Sequence, residues 1–150
     1  MILDTYGTFC NGTALNTGGA GNYIVGDVID LQALRDIGQS ADLDLMVQIA
    51  TTVASAGAAT VQFSLVSDST PTIATDGTAT VHVASGAIGK ATLVAGYAAM
   101  TLDLPLEDPA YERYLGIMQT TGTAALTAGA VNAFLVDEPA KWKAYADGQN

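Results

Sequence analysis

Positive charge is scarce in this chain. Five Lys and Arg residues stand against fifteen Asp and Glu, a net charge of -10 over 150 residues. Between Leu43 and Val136 the only bases are Lys90 and Arg113. Binding to DNA or RNA needs cations to neutralise phosphates, so no nucleic-acid partner is expected. The same shortage argues against docking to an anionic membrane surface. Cys10 is the single cysteine and His82 the single histidine. An intramolecular disulfide is therefore excluded, and a structural zinc site lacks ligands. The start, MILDTYGTFC, has no basic region and an early Asp4, so it does not read as a signal peptide.

Charge of either sign is low as well, at 13%, where an ordinary soluble domain has about 25%. The surface must be built from Ala, Thr, Gly and Ser, which suits burial in an assembly because interface centres are depleted of charge. Two runs, 45–67 and 114–136, carry no charge at all. Each is long enough to span a bilayer as a helix. Gln48, Thr51, Thr52, Ser55, Gly57 and Gln62 break the first, and Gln119, Thr120, Thr121, Gly122 and Asn132 the second. Each reads as two strands around a small-residue turn, and no membrane partner is expected.

Alternation with a period of two dominates the middle of the chain. Leu43, Leu45, Val47 and Ile49 share one face, against Asp44, Met46, Gln48 and Ala50. Val61, Phe63 and Leu65 share another, against Thr60, Gln62 and Ser64. Between these segments VASAG makes a hairpin or a corner between sheets. TATVHVAS places Val81 and Val83 inward and Thr80, His82 and Ala84 outward. YAAMTLDLP places Met100, Leu102 and Leu104 inward, and Pro105 stops the strand for want of an N–H. YLGIMQT and GAVNAFLVD look buried on both faces, or buried on one and docked on a partner through the other. NYIVGDVIDL adds a strand interrupted at Gly26.

Seven or eight short strands at this spacing predict an all-β sandwich or barrel. Short helical segments are expected at LQALRDIG, stopped by Gly38, and at EPAKWKAYADG, with Pro139 in its first turn and Gly148 past its end. The chain reads as one domain, 1–150, with 139–150 a tail or short helix. GTALNTGGAGN is expected to be a mobile Gly-rich loop. It lacks the Gly-Lys-Ser/Thr and flanking elements of a phosphate cradle. The segment around Pro71, with its Asp76–Gly77 turn, is a second loop.

Residues that could carry chemistry are few. His82 has no nucleophile elbow beside it and reads as a surface histidine. Glu107, Asp108 and Glu112 could be paired carboxylates of a glycosidase. The prolines at 105 and 109, and Tyr111 and Tyr114 around Glu112 and Arg113, instead suggest a lead-in to a strand. Arg113 would pair with a carboxylate there. No catalytic residue, cofactor or metal site is assigned, and the protein is not expected to be an enzyme. Trp142 and Tyr145, flanked by Lys141 and Lys143, form the one aromatic and basic cluster. Such clusters either anchor interfaces or fold back on their own domain.

The phrases MILD, VIDL with RDIG, ATLVAGY, ERYL and TAGAVNAFLVDE, in this order from residue 1 to about Glu138, resemble the Bbp16-like capsid cement proteins of tailed bacteriophages. GTALNTGGAGN and the tail from Pro139 match no phrase of that pattern. The resemblance implies a jelly-roll-like β-sandwich on the outside of an icosahedral shell. Its partner would be the HK97-fold major capsid protein, whose neighbouring subunits it would bridge. It also implies self-association, a dimer before a trimer. Candidate contact residues are Ile2, Leu3, Tyr6 and Phe9 near the N-terminus, Pro71, and Trp142 with Tyr145. The competing expectation is a carbohydrate-binding jelly roll of a phage fibre, which needs an exposed aromatic platform drawn from Tyr97, Tyr111, Tyr114 and Trp142.

Overall fold

The structure, a computed structural model, describes residues 5–33, 37, 43–105 and 109–137. A short 3-10 turn at Thr5–Gly7 precedes nine strands: β1 Thr8–Ala14, β2 Gly21–Asp30, β3 Leu43–Ala54, β4 Thr60–Asp68, β5 Thr80–Ala84, β6 Ile88–Gly89, β7 Ala98–Asp103, β8 Tyr114–Gly122 and β9 Ala128–Asp137. Of the first helix expected from sequence, only residues 31–33 and 37 are described and none is helical. The second, from Glu138 to Gly148, lies outside the described residues. Among the described residues no helix is long and apolar enough to cross a membrane.

The pairing is nested. β1 pairs with β9, β2 with β8, β3 with β7 and β4 with β5, all antiparallel. One long hairpin has thus been rolled up on itself. The β3–β9 and β4–β8 ladders close it into two sheets, ordered β1-β9-β3-β7 and β2-β8-β4-β5. β6 adds a short rung to the start of β4. This is the double-sheet jelly roll. VASAG is a corner, since β3 and β4 lie in different sheets.

The two charge-free runs are the four central strands, β3 and β4 in the first and β8 and β9 in the second. A central strand has neighbours on both edges and the other sheet on its inner face, which leaves little room for a charge. Between the sheets lie Leu45, Val47, Ile49, Val61, Phe63, Leu65, Leu115, Ile117, Val131 and Ala133, all at most 1% exposed. The outer face of the β2-β8-β4-β5 sheet is also covered, because the loop after β4 folds back and packs Ile73 against Val66 and Met118. Gly116 makes room for it: a Cβ there would lie 2.6 Å from Ile73 Cδ1.

β2 is one strand whose pairing breaks at Gly26, as expected. It continues through a register shift between Val25 and Ile29, with Gly26 at a φ of 78°. A Cβ there would run into the Phe9 carbonyl and come within 2.5 Å of Cys10 Sγ, so glycine lets β2 cross β1 closely. Of the Gly-rich segment 12–22, Gly12–Ala14 and Gly21–Asn22 are strand, and the turn between them is fastened by Gln119, fully buried, which accepts from the Asn16 N–H at 2.8 Å and donates to the Asn16 carbonyl at 2.9 Å. The Tyr23 hydroxyl donates to the Gly19 carbonyl at 2.9 Å.

Candidate interaction surface

The lead-in to β8 gathers most of the polar chemistry. Tyr111 is 1% exposed and donates its hydroxyl to the Pro105 carbonyl at 2.6 Å, which holds the corner from inside. Its ring stacks on His82, centroids 4.0 Å apart. His82 Nε2 lies 2.8 Å from Ser67 Oγ, which accepts the Glu112 N–H at 3.0 Å. Thr80 donates to the Glu112 carboxylate at 2.8 Å. On the outside, Arg113 grips Asp30 of β2 with two 2.8 Å bonds and lies 5.0 Å from the centroid of the Tyr114 ring. That pair holds the Asp30 carboxyl down at about 2. The opening of β8 is therefore a strand lead-in, and Arg113 pairs with a carboxylate as expected, though with Asp30 of β2 and not with a neighbour at the corner.

His82 is not the surface histidine expected. β5 carries one extra residue between the rungs Leu65–Val83 and Val66–Val81. This bulge reverses the alternation. Val81, expected inward, is 49% exposed, and His82 turns in to Tyr111. Burial pushes the imidazole below its ordinary 6.5, against the opposing pull of the Glu112 charge and of a bond to the Pro109 carbonyl.

Ser67, His82 and Glu112 have the residue types of an acyl-transfer triad, but the wiring differs. Ser67 is fully buried. Its hydroxyl is hydrogen-bonded to His82 and accepts from the Glu112 backbone, so it is held inside the corner. The arrangement can fix a corner; it offers no accessible nucleophile. Cys10 is similarly inert: burial pushes its thiol up to about 12, and it donates to the Val25 carbonyl. Among the described residues no group of three His, Cys, Asp or Glu side chains could hold a metal ion.

The surface has a plainer character. Both described cations are engaged within the fold, Arg113 with Asp30 and Lys90 with the Ser55 carbonyl at 2.5 Å. Of the contact candidates, Tyr6 is 87% exposed. Pro71 is exposed at the tip of a loop fixed by Asp68, which accepts from the Thr70 and Ala74 N–H groups at 3.1 and 3.0 Å. Phe9 corrects the expectation: at 1% exposed it is core, because β1 pairs with β9 and turns this ring between the sheets. Ile2, Leu3, Trp142 and Tyr145 lie outside the described residues. The aromatic platform loses Tyr111 to the core, and Tyr97 and Tyr114 are half-buried.

The molecule is a jelly-roll β-sandwich, and the polar cluster at the opening of β8 is internal bracing. The Bbp16 family model matches residues 14–135, and the chain belongs to that family. The family's name suggests a phage-related protein. The match takes in most of the Gly-rich segment that resembled nothing by eye, and leaves out MILD. No curated protein matches the chain.

Proposed function

We propose that this protein is a capsid cement protein, which binds the outside of an icosahedral phage shell and bridges neighbouring subunits of an HK97-like major capsid protein. Membership of the Bbp16 family over residues 14–135 carries the reading. The surface supports it. With Lys90 and Arg113 satisfied internally, the described body offers carboxylates and small neutral side chains to a partner. It suits a neutral or basic protein face far better than packaged DNA.

The physical mode is linkage. A ligand that binds only the assembled shell stabilises that shell by mass action, and many symmetric copies add avidity. The part played by this chain's residues is rigidity: a jelly roll braced at Tyr111 and Gln119 presents its loops without ordering costs at each site. The contact residues proposed are Tyr6 and the Pro71 loop. Self-association, as a dimer before a trimer, belongs to the same proposal, as do the absence of catalysis and a location on the virion surface.

Co-sedimentation with expanded, undecorated shells of the cognate phage tests the reading. Saturable binding at fixed stoichiometry is the expected result. Folded protein that stays in the supernatant at every concentration would overturn it.

A further inference from the structure

The loop after β4, folded back on the β2-β8-β4-β5 sheet, leaves an open groove between itself and β2. Its volume is about 480 Å³, within the range of small-molecule sites. The walls are fixed before any ligand arrives. Ile73 packs on Ile24 and Val28 over the gap at Gly116. Asn22 of β2 pins the loop to the sheet, donating to the Thr75 carbonyl at 3.0 Å and accepting from the Thr120 hydroxyl at 2.8 Å. The Thr70 hydroxyl donates to the Thr72 carbonyl at 3.0 Å. On the far side, Asn16 accepts from the Gly18 N–H at 2.7 Å, and Tyr23 is held by its bond to Gly19. A site built this way spends little free energy on ordering itself.

The lining combines two chemistries. Tyr23, Ile24, Val28, Pro71 and Ile73 supply apolar surface, and Asn16, Thr72 and Thr75 supply amide and hydroxyl groups. Among the described residues, the Thr72 and Thr75 hydroxyls and the Asn16 side-chain nitrogen have no partner within the fold. No charged side chain lines the groove. Asp68 and Asp76, on the same loop, turn their carboxylates to the N–H groups of Thr70, Ala74 and Thr78.

We propose that this groove binds a neutral saccharide unit. With no cation on its walls it lacks the charge-assisted bonds that hold a phosphate or carboxylate. Being open, it does not enclose a wholly apolar molecule, which needs most of its surface buried. A pyranose is uncharged, with C–H groups on its faces and hydroxyls around its rim. It can meet the apolar walls and the unpartnered hydroxyl and amide groups together. Tyr23 and Pro71 are rigid, so they offer contact area at low entropic cost. Tyr23 is not among the aromatics that the sequence singles out for a sugar platform. Pro71 is shared with the shell contact proposed above, so the two ligands exclude one another there. The inference does not rest on that reading, because it concerns the isolated chain.

Amide chemical-shift titration of the isotope-labelled full-length protein tests it, with glucose, galactose, mannose, N-acetylglucosamine, lactose and cellobiose as probes. At least one of them is expected to give saturable shifts confined to Asn16, Asn22, Tyr23, Thr72 and Thr75. Thr72→Val and Thr75→Val, both at exposed positions, should each weaken binding about 2–10-fold, the loss of one neutral hydrogen bond. Thr51→Val, exposed on the other sheet, should leave it unchanged. No saturable shift with any probe would overturn the proposal, as would shifts centred elsewhere. Binding that Thr72→Val and Thr75→Val leave untouched would overturn it equally. So would a groove that a capped, uncharged tripeptide saturates and no sugar does, which would make a peptide segment the occupant.

Discussion

Tyr111 lies face to face with His82, the ring planes 16° from parallel, and this contact ties the lead-in of β8 to the edge strand β5. Around it Ser67 holds both His82 and the Glu112 backbone. The corner is thus a small part-buried network in which each member satisfies another, and such networks lose more than one bond's worth when a member is removed.

Ser67→Ala leaves the Glu112 N–H and His82 Nε2 without this partner in a part-buried place. It should cost about 1–3 kcal/mol, the penalty for orphaned buried polar groups. Tyr111→Phe keeps the ring and loses the bond to Pro105, so a smaller loss of about 1 kcal/mol is expected. Urea denaturation of both variants checks the order. A Tyr111→Phe loss larger than that of Ser67→Ala would contradict the network.

His82 makes stability depend on pH in a definite direction. Its folded pKa lies below the ordinary 6.5, so the unfolded chain takes up a proton first as pH falls. The contribution is complete above 6.5 and declines as pH drops through that value, until the folded ring is protonated too. The urea midpoint should therefore fall between pH 7.5 and 5.5 (about one unit either side of a histidine's range). His82→Gln should flatten this slope while lowering stability at the upper pH. An equally steep slope in the variant would show that other groups cause it.

A second window opens in acid. Asp30 is held down by the Arg113 guanidinium and Asp68 by the Ala74 N–H. Their contributions are full above the ordinary carboxylate value of 3.8 and disappear as pH falls through the folded values, about 2 for Asp30. Asp68→Asn should weaken the Pro71 loop at neutral pH and shrink the loss of stability below pH 3.8. Hydrogen exchange at Thr70 and Ala74 reads this directly, and unchanged protection at neutral pH would contradict the role given to Asp68.

Gly26→Ala tests the closest crossing in the fold. The positive φ alone costs about 1–2 kcal/mol for a residue with a Cβ. The collision with the Phe9 backbone and Cys10 adds to that, so a loss beyond about 3 kcal/mol or failure to fold is expected. A variant as stable as the parent would mean that β1 and β2 separate easily.

The sandwich was legible because burial writes itself as alternation. Leu45–Val47–Ile49 and Val61–Phe63–Leu65 needed nothing beyond a period of two, and the charge-free runs marked the four central strands. His82 was misread because one extra residue in β5 inverts the pattern beyond it, and nothing in TATVHVAS announces a bulge. Phe9 was misread because a residue near a terminus looks unpartnered until the pairing of β1 with β9 is known. The Arg113 salt bridge was readable in kind but not in partner, since Asp30 lies 83 positions away. Gln119 gave no signal at all. A buried amide that copies a β-ladder rung for Asn16 is visible only in three dimensions. The docking surface has no motif, because small neutral side chains that suit an interface also suit an ordinary strand.

The central claim is that the protein stabilises an assembled shell. The most direct measurement is the rupture temperature of expanded shells, titrated with the purified protein. The account predicts a rise that saturates at fixed stoichiometry; at a free concentration about 100 times the Kd, each site contributes roughly 2.7 kcal/mol. A rupture temperature that stays flat while the protein is bound would contradict it.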